Sequence, residues 1–262
     1  MGSAPAEHST FDAPLNFSRT AREAWRFYRL RPLPLFCLFA ATYLFSAVVG
    51  AAISTLGRGD AGQALGGIAV NVMLPIWGSI ATAVACIVMH DAWIGQTTGL
   101  RSALSSLGGS WKEVLSAALL ASVAVVICST ILFVLVQTPL ALLSLLLIPA
   151  LPILLFGPPI LIHSVTLERL LLVQAWPRAR ALMSGNWGRL LGHWGLLMLA
   201  IGIAVLVSNL IPRVFGAGGF VLAAVTVLAY GVLIPYVVAF VLVSFLDVRA
   251  QHDGKGSAQA SA

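Results

Sequence analysis

Three histidines and two carboxylates are the side chains of this sequence that could bind a metal. His90, His163 and His193 each lie at the end of a long apolar run, with Asp91 and Glu168 close to two of them. Three imidazoles and a carboxylate at one depth could ligate zinc. However, the sequence has no HExxH, no CxxC and no two histidines four residues apart. We therefore predict no metal site and interpret the histidines as interfacial side chains.

Glu168 and Arg178 are candidates for an electrostatic pair, and two interpretations of Glu168 are open. It follows Thr166, which could cap a helix, so the carboxylate could complement a helix dipole. Alternatively, it could clamp arginines of a neighbouring helix and set how membrane hairpins meet. In either case the pair is predicted to be structural.

Motifs of enzyme chemistry are not found in the sequence. It contains no GxSxG, no P-loop, no Ser/His/Asp spacing and no clustered carboxylates for two metals. Cys37, Cys86 and Cys128 lie within apolar runs without redox spacing, which indicates packing. We therefore expect neither catalysis nor a cofactor.

Four residues inside the apolar runs could line a solute path: Asn71, Asn209, Pro149 and Pro152. The alternative is structural, because asparagine hydrogen-bonds neighbouring membrane helices and proline is tolerated there as a kink. The apolar runs hold no Asp, Glu, Lys or Arg, which weakens the case for ion-coupled transport.

The composition excludes a soluble domain. The chain of 262 residues is 59% hydrophobic and only 9% charged, whereas soluble proteins carry about 25% charged residues. A net charge of +6 does not indicate nucleic-acid binding, because the basic residues do not form one patch. Three cysteines cannot form a disulfide framework.

Six charge-free runs are each long enough to cross a bilayer as a helix: 33–54, 66–89, 114–136, 140–162, 194–212 and 220–246. The sequence therefore predicts an all-α, polytopic membrane bundle over residues 17–246. Residues 1–16 and 247–262 are polar and are predicted to be disordered tails without a cleaved signal.

The basic residues predict the orientation. Thirteen of the 15 Lys and Arg residues fall on the side that carries both termini, and only Arg58 and Arg213 fall on the other. This bias places both termini in the cytoplasm. The arginine-rich composition indicates a bacterial protein, and hence the inner membrane.

The segment 17–31 reads as an amphipathic helix that precedes the first span. One face carries what we call the arginine stripe: Arg19, Arg22, Arg26 and Arg29. The other face carries Phe17, Ala21, Ala24, Trp25 and Tyr28. This pattern favours a helix in the headgroup layer, with arginines on anionic lipid and aromatics on acyl chains. Pro32 and Pro34 should end it.

Two further segments, 101–115 and 177–191, share a helical elbow pattern. Each has a glycine, Gly109 or Gly185, that could end one helix, followed by Ser110 or Asn186 as a cap for the next. Trp111 and Trp187 then follow, and tryptophan prefers the membrane interface.

Prolines recur at a similar place in the second, fourth and sixth apolar runs. Pro75, Pro149 and Pro235 follow the three amphipathic segments by 51, 46 and 56 residues, counted from Ala24, Ala103 and Ala179. This period favours an internal repeat of three hairpins, each preceded by an interfacial helix. The alternative is a coincidence of residues that are common in membrane helices.

Residues 168–191, together with the opening AREAWRFYRLRPLPLF, resemble bacterial six-helix membrane families similar to the membrane domain of glycerophosphoryl diester phosphodiesterases. The matching residues are Glu168, Ala175, Arg178, Gly185, Asn186 and Trp187. The resemblance implies the fold and the location. It implies no activity, because no phosphodiesterase catalytic region is present in the chain.

Three functions remain open. The favoured one is a non-catalytic scaffold or accessory subunit that binds anionic lipids, and either a membrane partner or a second copy, but no nucleic acid. The second is a carrier or exporter of an apolar or lipid-like solute. The third, a metal-dependent membrane enzyme, requires the three histidines to converge within about 4 Å of one point.

Overall fold

The structure, a computed structural model, describes residues 14–57, 59–120, 123, 160–193, 195–197 and 219–260. Its helices are α1 (Phe17–Leu30), α2 (Pro32–Leu56), α3 (Gly59–Trp93), α4 (Leu100–Ser106), α5 (Leu172–Met183) and α6 (Gly219–Ala260). A 3-10 turn over Leu107–Gly109 follows α4, and further helical residues lie at 111–120, 160–167 and 187–193. No strand occurs in these ranges, so the predicted all-α class is confirmed.

Within the part of the chain that the structure describes, three helices are long and apolar enough to cross a membrane. They are α2, the part of α3 over Ile76–Trp93 and the part of α6 over Ala224–Asp253. These correspond to the predicted runs 33–54, 66–89 and 220–246. The other three predicted runs, 114–136, 140–162 and 194–212, lie largely outside the described residues.

Specific residues define where α1 and α2 begin. Asn16 caps the start of α1, and its side-chain oxygen accepts a hydrogen bond from the backbone N–H of Arg19 at 2.9 Å. This satisfies one of the donors left open at a helix start. Pro32 stands at the start of α2, where its missing N–H costs nothing. The predicted break before the first apolar run is confirmed.

Glycines bring α2 and α3 into close contact. A Cβ added at Gly66 would overlap the Ser54 hydroxyl and lie 2.6 Å from the carbonyl oxygen of Gly50. A Cβ at Gly62 would lie 2.5 Å from the carbonyl oxygen of Gly57. Small residues four positions apart let two membrane helices approach closely, and van der Waals contact then stabilises the pair.

The buried core lies where the first turns of α2, the last turns of α3 and the second half of α6 meet α1 and α5. Its largest buried side chains include Phe27, Met89, Leu182, Phe240 and Phe245. The ion pairs described below lie at this same end. We call this end, formed by α1, α4, α5 and the last turns of α3 and α6, the charged end.

The folded domain extends past both of its predicted limits. The sequence predicts a disordered tail from residue 247, whereas α6 continues to Ala260 and buries Asp247 and Val248. Arg249 and Asp253 are one turn apart on this extension, 3.8 Å from each other. Leu15, assigned to the N-terminal tail, is also buried. The predicted boundaries at 16 and 247 are therefore corrected outward, because both segments are tied to the charged end.

Candidate functional site

Four charged side chains meet at the charged end, and we call them the ionic cluster: Glu168, Arg178, Arg249 and Asp253. Arg178 donates to both Glu168 oxygens, from Nε to Oε2 at 3.3 Å and from Nη2 to Oε1 at 3.1 Å. The same Nη2 lies 2.9 and 3.0 Å from the two Asp253 oxygens. Arg249 Nε lies 3.2 Å from Glu168 Oε1. The pairing of Glu168 with Arg178 is confirmed, and the cluster joins α5 and α6 to the segment after residue 167.

Glu168 does not stand at a helix start, so only one of its two predicted roles is found. Helical residues 160–167 end directly before it, and the left-handed backbone of Arg169, with φ of 53°, terminates that helix. The backbone N–H of Leu172, at the start of α5, donates to Glu113 Oε2 at 2.8 Å. The acid at that helix start is thus Glu113, and the helix-dipole interpretation of Glu168 is wrong.

Burial and ion pairing act in opposite directions on Arg178. Burial alone lowers the pKa of the guanidinium, whereas hydrogen bonds to Glu168 and Asp253 and their negative charges raise it; the net result is a raised pKa. The Arg178 side chain is 24% exposed and that of Glu168 is 10% exposed. Arg178 therefore stays charged in surroundings where removing one partner of an ion pair is costly.

A second ion pair was missed by the sequence analysis. The Asp247 side chain is only 3% exposed, and its Oδ2 lies 3.0 Å from Nη1 of Arg189. Its Oδ1 accepts the backbone N–H of Leu15 at 3.3 Å. One carboxylate thus connects α6 to the segment 187–193 and to the chain before α1. The sequence feature that could have indicated this pair is an acidic residue directly after the longest apolar run.

On α1 the arginine stripe is exposed, as predicted. The apolar face, however, packs on protein, since Ala24, Phe27 and Tyr28 are buried. The Phe17 ring lies 5.7 Å from that of Phe240, centroid to centroid. The predicted contact with acyl chains is therefore wrong for Ala24 and Tyr28 of this face, which the protein covers, whereas Trp25 stays half-exposed.

Three helical segments at or next to the charged end each expose a tryptophan. Trp25 is 46% exposed, Trp111 is 52% exposed and Trp176 is 53% exposed. An indole ring, apolar with a polar N–H, suits the headgroup layer. Trp187 instead packs against the core, so Trp176 takes the exposed place on the third segment. The exposure of Val173, 85%, on the same helix agrees with a lipid-facing surface.

The two predicted elbows differ in their backbone. Gly185 adopts a left-handed φ of 79° between α5 and residues 187–193, which confirms its predicted role. Asn186 accepts a hydrogen bond from Arg189 Nη2 at 3.0 Å, and so orients the guanidinium that pairs with Asp247. Gly109 has no positive φ and ends a 3-10 turn, so the elbow at residues 101–115 does not depend on glycine.

The three histidines lie in separate surroundings. His163 is fully buried, with Nε2 3.1 Å from the Cys86 thiol. His193 packs edge-on against two phenylalanine rings at centroid distances of 6.1 and 6.2 Å. His90 Nδ1 lies 3.8 Å from the Asp91 carboxylate. Among the described residues no three metal-ligating side chains converge, so these histidines do not form the shared point that the enzyme alternative requires.

The candidates for a solute path fall mostly outside the described residues. Asn209, Pro149 and Pro152 are outside them, and Asn71 lies within α3. Pro235, the corresponding proline of the last predicted hairpin, lies inside α6 without ending it. A proline within an apolar run is therefore compatible with a continuous helix in this protein.

The chain matches no protein-family model, no curated protein and no solved structure. The resemblance of residues 168–191 to the membrane domain of glycerophosphoryl diester phosphodiesterases therefore stays a prediction. Function is argued below from the side chains of the charged end.

Proposed function

We propose that this protein is a non-catalytic scaffold or accessory subunit of the bacterial inner membrane, held at its charged end by anionic lipid headgroups. The observation that carries the proposal is the setting of α1. Its arginine stripe faces outward, whereas Ala24 and Tyr28 of its apolar face are buried and the helix packs against α6. The chain enters the candidate span α2 directly after α1, so the exposed arginines lie next to one end of a span.

The rotation of α1 about its axis is fixed by further contacts. The Tyr236 hydroxyl donates to the backbone carbonyl of Ala21 at 3.3 Å, and Trp25 packs against Tyr28 and Tyr236. Arg26 pairs with Glu23 at 3.2 Å, and although the Arg26 side chain is 73% exposed, that of Glu23 is 11% exposed, so this arginine also compensates a nearly buried carboxylate. The guanidinium groups of Arg22 and Arg29 are exposed on this fixed helix, where phosphate groups of the lipid can reach them.

The helix that precedes Gly185, α5, supports the same proposal. On α5, Val173, Trp176 and Arg180 are spaced three and four residues apart and all are exposed. An apolar residue, an indole and a cation along one exposed face are typical of a helix in the headgroup layer.

The proposed topology has six spans, as three hairpins, with both termini in the cytoplasm. It rests on the distribution of Lys and Arg in the sequence. We expect a green fluorescent protein fused after residue 262 to fluoresce, and alkaline phosphatase fused there to be inactive. Phosphatase fused after Arg58 should be active. An active phosphatase at residue 262 would overturn the topology.

Lipid analysis of the purified protein tests the role of α1. Replacing the whole arginine stripe with glutamine should lower the ratio of co-purified phosphatidylglycerol to phosphatidylethanolamine at least about tenfold, because each basic residue contributes roughly 1 kcal/mol. The matched control replaces Arg101 and Lys112, which are exposed and lie off both α1 and the exposed face of α5. An unchanged ratio in the stripe variant, or an equal fall in the control, contradicts the proposal.

A further inference from the structure

A polar cavity of about 310 Å³ lies at the charged end, between the last turn of α3, α4 and the segment 166–169. Its lining includes His90, Asp91, Ser102, Ser110, Thr166 and Arg169. The volume suits a small ligand. A lining that combines hydroxyls with one guanidinium favours a ligand rich in hydrogen-bond acceptors.

Thr166 gives this cavity a buried polar group that lacks a partner. The residue is 7% exposed, and its hydroxyl makes no hydrogen bond to the residues that the structure describes. Buried hydroxyls are nearly always hydrogen-bonded, since an unmade bond costs free energy. Because Thr166 lines the cavity, a rotation of its side chain would present this hydroxyl to a ligand seated there.

Arg169 is held in a backbone conformation that favours glycine. Among the described residues it is the one non-glycine residue with a positive φ, 53°. Glycine would end helical residues 160–167 without this strain. The guanidinium is exposed and makes no hydrogen bond or ion pair within the described part of the chain. A strained arginine in the wall of a cavity indicates a use for its charge.

Asp91, the acid in the cavity wall, already has partners within the protein. Asp91 Oδ2 accepts a hydrogen bond from the Thr98 hydroxyl at 2.6 Å, and Oδ1 lies 3.8 Å from His90. Asp91 is the one carboxylate in the lining, where α4 contributes two serines and the 3-10 turn after it contributes a leucine. The Thr98 and Ser106 hydroxyls already donate within the protein, so the donors left for an anion are Arg169 and the hydroxyls of Ser102, Ser110 and Thr166.

We propose that this polar cavity binds the phosphate group of a small ligand, either a phospholipid headgroup or a soluble phosphate ester. A guanidinium fork binds two phosphate oxygens, and the other oxygens can accept from hydroxyl groups such as those of Thr166 and Ser110. A carboxylate has only two oxygens, so it would pair with the guanidinium fork and leave no oxygen for the hydroxyl groups. The proposal does not involve the arginine stripe, so it stands or falls separately from the proposed function.

Calorimetric titration of the purified full-length chain in a neutral detergent tests this site. The probes are inorganic phosphate and dihexanoyl phosphatidic acid, each against wild type, Arg169→Gly and Thr166→Val. We expect wild type to bind at least one probe, Arg169→Gly to weaken binding about 10- to 100-fold and Thr166→Val several-fold. Arg101→Gln, an exposed change outside the cavity lining, should alter affinity less than about twofold.

The outcomes separate the two sources of phosphate. Binding of the lipid probe alone indicates a headgroup, and comparable binding of inorganic phosphate indicates a soluble ester. Arg169→Gly is expected to fold, because glycine accepts the left-handed conformation, and a wild-type circular dichroism spectrum checks this. The proposal is overturned if wild type binds neither probe, or if Arg169→Gly binds as tightly as wild type.

Discussion

Removing the Arg178 guanidinium should show how strongly the ionic cluster holds the charged end together. We expect Arg178→Met to lower the free energy of unfolding by about 2 kcal/mol. Breaking a fully buried ion pair costs about 3–5 kcal/mol, and an exposed pair contributes less than about 1 kcal/mol. The 10% exposure of Glu168 resembles the buried case, but Arg249 still lies 3.2 Å from its carboxylate and prevents an unpaired buried charge.

Asp253 provides the matched comparison within the same cluster. Its oxygens are closer to Arg178, at 2.9 and 3.0 Å, yet its side chain is 49% exposed. Water and salt screen this contact, so Asp253→Asn should cost less than about 1 kcal/mol. Burial rather than distance is therefore predicted to rank the two variants.

Unfolding by sodium dodecyl sulfate in mixed micelles, followed by circular dichroism, measures these differences. A double-mutant cycle with Glu168→Gln and Arg178→Met should give a coupling free energy of about 1–2 kcal/mol. If Arg178→Met is no more destabilising than Asp253→Asn, or the coupling is zero, the assignment of the ionic cluster as a structural clamp is refuted.

Two other predictions concern packing and pH. Gly66→Ala should destabilise the protein by about 1–3 kcal/mol, because its Cβ would meet Ser54, whereas Gly78→Ala on the same helix has open space and should not; the same unfolding assay compares them. Burial first, and then the charge of Arg189, lower the pKa of His193. The folded protein thus favours the neutral imidazole. As the pH drops below about 6.5, the melting temperature of wild type should therefore decrease more than that of His193→Phe.

Much of the helical layout could be predicted because its causes are local. Long charge-free runs predict α2 and the apolar parts of α3 and α6, and each contains a helix that could cross a membrane. The break before Pro32 and the left-handed Gly185 follow from the conformational preferences of proline and glycine. Neither inference requires knowledge of distant residues.

The contacts between helices could not be predicted in this way. The apolar face of α1 reads equally well as lipid-facing or protein-facing, and its contact with Tyr236 spans 215 residues of sequence. Likewise, Asp247 looks like the first residue of a polar tail until Arg189 is placed 3.0 Å away. Periodicity shows which face of a helix is apolar, but it does not show what covers that face.

The Glu168–Arg178 pair lies between these two cases. Ten residues separate the partners, so their proximity was a reasonable expectation, but the role of Glu168 depended on where one helix ended and the next began. The left-handed Arg169 decides this point. Arginine is an uncommon residue in that conformation, so the sequence alone gave no sign of the turn.

Native mass spectrometry of the protein released from its own membrane into a gentle detergent tests the scaffold proposal most directly. The proposal predicts retained anionic phospholipid together with a stoichiometric second subunit, either another protein or a second copy of this chain. A single chain that carries a stoichiometric apolar solute and no second subunit would contradict it and favour a carrier. Bound zinc in place of a subunit would contradict it in favour of an enzyme.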